Sequence, residues 1–544
     1  MAVKRSRRTA VTVTPAAPVA LGGLEGADTT SRRLASWRAP AGSADVLVNR
    51  AKPVADDRGR DLARNDPTTA NAVKIHQNSI VGSHYRLSAM PNWLVLGATE
   101  AWADEFQKVV EARFTLLAES PKNWLDASRK MTLTDKVRLA VASFVVTGES
   151  LQIAEWIKDA DRPCRTAIQH AAPARLNNPN GVSDSSTMRR GVEIDERGRP
   201  IAYHVQSNHP GDFGVNFDLW SWKRVRAELP WGRPQVLHIF DPLEPGQNRG
   251  LSDLVAAMET MQMTRKFRGA TLENAIVNAT VAAAIESELP SEVMVAAMGG
   301  GSGSSAWTDP IGEYLSALDG YRGEANGLRM DGVMIPHLFP GSKLTMKPAG
   351  TPGGVGTDFE GSLLRHTAAG LGVSYEELSR DYARLSYSGG RLSLQATERF
   401  MAARKRLVAD KTANFAYTLW LEEEINRMEN IPPLPGKSRV QTRDAFYTPL
   451  GREAFCRATW IGASAGQTDE MKETQAALMR VRAGLSTWEA ECAKLGKDYR
   501  EVFDQLAREN KLAESLDLDF SLDATKQGKG EQQATLRDNQ DEEA

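Results

Sequence analysis

Four short stretches of the chain hold residue types that could do chemistry. "GASAG" at 462–466 matches the G-x-S-x-G nucleophile elbow, in which a strained turn presents a serine hydroxyl at the top of a sheet. A hydrolase built on Ser464 needs a histidine base later in the chain, but the last histidine is His366. The stretch therefore reads as a flexible loop, and a serine hydrolase stays only as a rival reading. "GGGSGS" at 299–304 has the glycines of a phosphate-binding loop, yet no GK[ST] follows and no strand leads into it. A surface linker explains it better. The eight histidines form no HExxH, and His204 and His209 lie in a strand-to-loop region without carboxylates at ligand spacing. His238 in "VLHIF" reads as a strand histidine with a satisfied ring nitrogen, and "EIDERGR" as a solvated turn. No nucleophile, base and orienter come together, so neither catalysis nor a metal or other cofactor is predicted.

The fourth stretch is Tyr382 to Arg391, "YARLSYSGGR", which has no apolar period. Its serines and glycines suit a mobile loop. Tyr382 and Tyr387 can lie flat in a groove, and Arg384 and Arg391 can touch phosphates. Taken alone, this composition is that of an ordinary surface loop.

The elements around these stretches point to a mixed α+β chain. Residues 57–81 read as two helices broken at Pro67 and ending near Gly82. Residues 97–171 read as mainly helical, with Trp102, Phe106, Val109, Val110 and Phe114 on one face. From 190 the pattern alternates in the strand manner around "DERGRP", and "PQVLHIF" is a short apolar strand. Gly250 precedes a long helix with Leu251, Leu254, Val255, Met258 and Met261 at helical spacing. It could run to about Ile285, roughly 50 Å. Asp358 to Gly370 reads as a helix. Residues 392–430 read as a second very long helix stopped by "IPPLP", and two helices flank Gly484 with Thr487 as an N-cap. Long helices bury an apolar stripe poorly against one small domain and pack better beside neighbours, including copies of themselves.

The totals exclude several classes. The 544 residues are 41% hydrophobic and 25% charged, with a net charge of −2. There is no polyelectrolyte signature, so contact with nucleic acid should be loose or local. Cys164, Cys456 and Cys492 are far apart, which argues against a zinc site or a disulfide framework and fits a reducing compartment. No apolar run reaches the length of a spanning helix, so no membrane is expected. The basic start "MAVKRSRRTA" is not followed by an apolar signal core.

Five segments, in order, carry a resemblance to a known family. They are "RGRDLARNDPTTANAVKIHQNSIVG" at 58–82, "RRGVEIDERGRPIAYHV" at 189–205, "VLHIFDPLEPGQNRGLSDL" at 236–254, "DFEGSLLRHTAAGLGVSYEELSRDYARLSYSGGR" at 358–391 and "DEMKETQAALMRVRAGLST" at 469–487. Together they resemble the lambda-like portal proteins of tailed bacteriophages, with a departure in the Gly/Ser-rich segment around 299–330. The resemblance implies a ring of about twelve copies closed on itself. It implies a place at one capsid vertex of the virion, assembly in the bacterial host cytoplasm, and no enzymatic activity. Double-stranded DNA would pass through the channel during packaging and ejection. The implied partners are the terminase large subunit, the major capsid protein or scaffold, and later a head-completion or adaptor protein.

The same resemblance implies a domain order. A disordered basic tail (1–35) precedes a wing (36–250), helical and then β. A first stem helix (251–284), a clip (285–356) and a second stem helix (357–372) follow. Then come a tunnel-loop region (373–391), a long wing helix with following strands (392–465), crown helices (466–515) and a disordered acidic tail (516–544). Tyr382, Arg384, Tyr387, Ser388 and Arg391 would face DNA in the tunnel loop. Leu251, Leu254, Val255, Met258 and Met261 would form the stem interface between copies. A monomeric DNA-binding adaptor is the rival of a different class.

Overall fold

Pro67 divides the first helical run. The computed structural model of the chain describes residues 25–27, 32–212, 220–280, 327–330, 333–336, 355–383, 385–464 and 469–516. Helix α1 (Ala44–Asn65) and helix α2 (Pro67–Ile80) meet at Asp66. Its carboxylate accepts from the Thr69 amide at 2.8 Å, and Pro67 takes the first helical position, where an N–H has no partner to lose. The first helix starts well before residue 57 and contains Pro53 in its interior. Proline donates no bond to the carbonyl four residues back, and the Arg190 guanidinium bonds that Asn49 carbonyl at 3.1 Å instead.

Strand β1 (Arg86–Ala89) and the short helix α3 (Trp93–Leu96) lead to α4 (Glu100–Ala118). Trp102, Phe106, Val110 and Phe114 are buried on one face as their spacing predicts, and Val109 lies at the half-buried edge. A capping box of Thr132 and Asp135 starts α5 (Leu133–Thr147), and Gly148 ends it at φ 77°.

The mainly helical reading of 97–171 fails beyond Gly148. Residues 149–171 form β2 (Glu149–Trp156) and β3 (Thr166–Ala171). The central strand β2 is buried over its first six residues on both faces, so it has no period of two to read.

Strands β4 (Met188–Arg189), β5 (Val192–Ile194), β6 (Pro200–Gln206) and β7 (Trp222–Arg226) form an antiparallel sheet in that order, turning at "DERGRP" as expected. Strand β8 (Val236–Phe240) completes a second antiparallel sheet, β3-β2-β8, with Leu151 opposite both Ala171 and His238.

The long helix α6 (Leu254–Thr280) begins three residues later than its apolar spacing suggested. The Ser252 hydroxyl accepts from the Leu254 amide, and Leu251 and Ser252 pack as an irregular root against Gly148. The predicted continuation to Ile285 lies outside the described residues. Strands β9 (Gly327–Met330) and β10 (Val333–Pro336) pair as an antiparallel hairpin; the rest of 285–354 also lies outside, as do the basic and acidic tails up to residue 24 and beyond 516.

Helix α7 (Val355–Leu371) packs along α6. Ala257 faces Gly370 near the root, and further out the Phe267 and Phe359 rings are 5.6 Å apart beside an Arg268–Glu360 ion pair. The two helices are therefore antiparallel.

A short helix α8 (Tyr375–Ser379) precedes α9 (Tyr387–Arg404), a π-helical turn (Lys405–Ala409) and α10 (Asp410–Arg427). The predicted helix 392–430 is thus one interrupted rod that starts earlier, because Ser386 caps it. The π turn inserts a residue and rotates the buried stripe, so Met401 on one side and Ala413, Tyr417 and Trp420 on the other all reach the core.

Strands were expected after this rod. The chain instead forms α11 (Arg439–Phe446), α12 (Gly451–Phe455) and one strand, β11 (Ala458–Ile461), paired with β1. The polar, N-capped "SRVQTRDAF" makes a helix whose buried face is only Thr442 and Phe446. Helices α13 (Glu470–Arg482), α14 (Trp488–Lys494) and α15 (Tyr499–Ser515) follow, with Thr487 accepting from Ala490 N at the predicted cap.

Phe114, Tyr417, Trp420 and Trp460 pack as an aromatic cluster at the centre of the main core, which α2, α4, α5, α10 and β11 share. A smaller core of Leu151, Val192, Tyr203 and Val225 lies under the four-stranded sheet.

Candidate functional site

The residues that could have done chemistry stay apart. Ser464 is exposed beside Gly496 on the loop after β11. His204 meets Glu193 of the neighbouring strand at 3.2 Å, a carboxylate that pairing rather than spacing brings near. His209 Nδ1 accepts from its own loop at Gly211 N. His238 is buried, with Nε2 3.0 Å from Glu149. Among the described residues no three His, Cys, Asp or Glu side chains come together in a metal-holding group, and no helix is long and apolar enough to cross a membrane.

The Tyr382–Arg391 tract is shorter as a loop than its composition suggested. A capping box of Ser374 and Glu377 starts α8, and Arg380 ends it at φ 59°. The irregular part then runs only to Ser386, whose hydroxyl accepts from Gly389 N at 3.2 Å and opens α9. Tyr387, Ser388 and Arg391 therefore occupy the first turns of a helix, not a loop. Tyr382 is 52% and Tyr387 58% exposed, so both rings are available to a partner. Arg391 is exposed and lines a cleft of about 630 Å³ between α9 and the α13–α14 pair, with Lys472 and Trp488. Arg384 lies outside the described residues.

The apolar stripe assigned to contacts between copies is largely used inside the protomer. Leu254 and Met261 are 0% and 4% exposed in the chain's own core, and Met261 Sδ lies 3.5 Å from the Thr69 hydroxyl of α2. Met258 reaches Gly59 of α1, and Leu251 and Val255 are half-buried. The stripe docks the root of α6 onto α1, α2 and α7 within the protomer. The large apolar residues that α6 exposes lie further along, at Met263 (55%), Leu272 (63%) and Ile276 (51%).

A buried ionic cluster anchors that root. Arg249 donates to both Glu149 carboxylate oxygens and to the Pro173, Leu176 and Arg190 carbonyls. Lys52 reaches Asp56 at 3.1 Å, Glu149 at 3.3 Å and the Thr147 and Gly250 carbonyls. Burial alone would raise the Glu149 carboxyl, but Arg249 and Lys52 overrule it and hold it well below the usual range. Burial pushes Asp56 up to about 6 against the pull of Lys52. Burial lowers His238 despite Glu149 beside it. The Gly250 backbone also lies so close to Gly148 that a Cβ at 250 would stand 2.1 Å from the Gly148 carbonyl oxygen. Sequence reading missed this cluster because Arg249 and Glu149 are 100 residues apart; the only local sign was a glycine next to an arginine ahead of a long helix.

The described residues form a mixed α+β body from which an antiparallel helix pair departs. The family model described as "Phage portal protein, lambda family" matches residues 30–405. The portal protein of Escherichia phage N15 is 39% identical over 486 residues, covering 88% of each chain. Portal protein B of Escherichia phage lambda is 38% identical over 484 residues, covering 88% of this chain and 87% of that one. The chain belongs to the lambda family of phage portal proteins, structural components of the virion at the capsid vertex. A chain in the solved neck of an empty gene transfer agent particle overlaps it at a TM-score of 0.37 and 12% identity, covering 82% of this chain and 94% of that one.

Proposed function

We propose that the chain assembles as a closed ring of about twelve copies around a channel for double-stranded DNA. In this reading α6 and α7 are the stem and the segment between them is the clip. The body from α1 to β8, with α9 and α10, is the wing, and α13 to α15 are the crown. The clip receives the terminase during packaging and the head-completion protein afterwards, and the wing meets the capsid protein or scaffold. The ring has no chemistry of its own, so Ser464→Ala leaves every assembly step unchanged.

The observation that carries the ring is the α6–α7 pair. A helix of 27 residues, about 40 Å long, has its first turns covered by α1, α2 and α7 while Met263 and Leu272 stay exposed further out. Exposed apolar positions on a long helix suit packing against copies of itself. Near-neutral charge suits a channel through which DNA slides, because each neutralised phosphate adds salt-dependent grip.

The test is the mass of the purified protein in solution, with Met263→Glu/Leu272→Glu beside it. The native chain should run as a large ring and the double variant as a folded species near 59.5 kDa. A native protein that stays monomeric at micromolar concentration, or a double variant that still forms the ring, overturns this reading of the helix pair.

A further inference from the structure

Arg404 is 8% exposed and reaches from its own helix to α5 and to the root of α6. It pairs with Asp253 at the root of α6. Its guanidinium carbon lies 4.6 Å from the centre of the Phe400 ring, one turn earlier in α9, and 5.2 Å from that of Phe144 in α5. Phe400 in turn closes on the end of α7. There Gly372 holds φ +66°, with its amide bonded to Ala369 O and that of Val373 to Ala368 O, a Schellman-type stop. A Cβ at Gly372 would stand 2.5 Å from the Phe400 ring, so the ring fills the space that only glycine leaves. The His76 ring of α2, fully buried, meets Phe400 edge-on at 6.1 Å.

The segment between these contacts is otherwise lightly held. Asn71 of α2 donates to the Glu377 and Leu378 carbonyls and accepts from Arg380, which fixes α8. From Asp381 to Glu398 the described residues are mostly exposed, Gly390 and Thr397 being the buried ones. The start of α9 is thus tethered mainly where Thr397, Phe400, Met401 and Arg404 turn inward.

We propose that Asp253, Arg404, Phe400 and Gly372 form a latch that fixes the loop at 380–386 and the first turns of α9 to the root of α6. Arg404 is its positioning residue. The ion pair aims the guanidinium, the guanidinium holds the Phe400 ring, and the ring blocks movement of α9 away from the end of α7. Arginine is needed because its planar group serves the carboxylate edge-on while stacking on the aromatic face, which a lysine ammonium cannot do at once. The consequence for DNA contact rests on the channel reading above; the latch itself does not.

Hydrogen exchange on the full-length protein tests it. In Arg404→Gln, amides of 380–396 should exchange about tenfold faster, while those of α5 and of the first turns of α6 keep native rates. Arg404→Lys should leave most of that increase, and Asp253→Asn, which removes the aim of the guanidinium but keeps the guanidinium itself, should give a smaller rise in the same segment. Phe400→Leu, a milder packing change, should loosen the same segment and serves if Arg404→Gln fails to fold. Unchanged exchange in 380–396 overturns the latch, and so does a rise that spreads equally through α5 and α6, which marks an ordinary core residue. DNA content per head for the same variants separates the two readings. A loosened segment with full DNA content supports the latch and overturns the role of the segment on DNA.

Discussion

The Arg190 guanidinium bonds the Asn49 carbonyl, the one backbone acceptor in α1 that Pro53 leaves without its helical partner. A residue in the turn between two strands thereby completes a helix 141 positions away. Arg190 itself sits at φ 43°, and its own carbonyl accepts from Arg249, so the repair and the buried cluster share a residue.

The first prediction is a coupling. Arg190→Ala leaves the Asn49 carbonyl short of a donor and should cost about 1–3 kcal/mol. Pro53→Ala restores a backbone donor to the same oxygen. The two changes together should therefore cost less than the sum of the single effects in urea unfolding, by roughly 0.5 kcal/mol or more. Strict additivity would disconnect the two residues.

Arg249→Met should destabilise the protein by about 3–5 kcal/mol, because it strands the Glu149 carboxylate in the interior beside a single remaining cation. Arg249→Lys keeps the charge but cannot reach the Pro173, Leu176 and Arg190 carbonyls as well as Glu149, and should fall in between. The check is the denaturant midpoint of each variant. A Met variant with a native midpoint contradicts the anchoring role.

Asp56 sets a pH dependence of definite sign. Its folded carboxyl titrates at about 6 against an ordinary value of 3.8, so the folded state holds that proton more tightly. The contribution is fully present below pH 3.8 and lost as the pH rises through about 6. Asp56→Asn imitates the protonated form at every pH. Its stability relative to the native protein should improve from pH 4 to pH 7.5 by on the order of 1–3 kcal/mol. A difference between the two proteins that does not vary with pH rules the effect out.

Leu254→Ala tests where the stripe is used. Full burial inside the protomer means a cost of about 2–5 kcal/mol to the folding of the single chain. Met263→Ala should leave chain stability within about 0.5 kcal/mol and act only on assembly. Thermal unfolding of dilute protein beside ring yield separates them. A Leu254→Ala variant with native stability would return that residue to the interface between copies.

Replacing 381–385 with a Gly-Ser link, and leaving Ser386 to cap α9, should preserve rings and proheads. Most of that stretch is exposed and its composition buries too little apolar surface to hold subunits together. The resulting heads should carry less DNA. DNA content per purified head is the measurement. Full content reduces the stretch to a surface turn, and lost rings move it to the interface between copies.

The sequence by itself determined the local stops and starts, because each is made by a side chain within a few residues of the backbone it serves. Pro67 after Asp66, the Thr487 cap and the "DERGRP" turn are read correctly for that reason. The α4 stripe, the long helix before Thr280 and the family itself were legible too, since periodicity and ordered motifs survive in one dimension. Tertiary structure decided the rest. Strand β2 hides its period because both of its faces are covered. The helix start at Tyr387 turns on a single Ser386 hydroxyl inside a glycine-rich tract that composition alone marks as loop. Leu254 and Met261 show an apolar face but not which surface covers it; only the approach of α1, α2 and α7 assigns them to the protomer core. Arg249 with Glu149, and Arg404 with Asp253 and Phe144, are encounters between distant residues. A charge or a ring acquires its role there from what the fold brings within a few ångströms of it, and spacing along the chain holds no record of that distance.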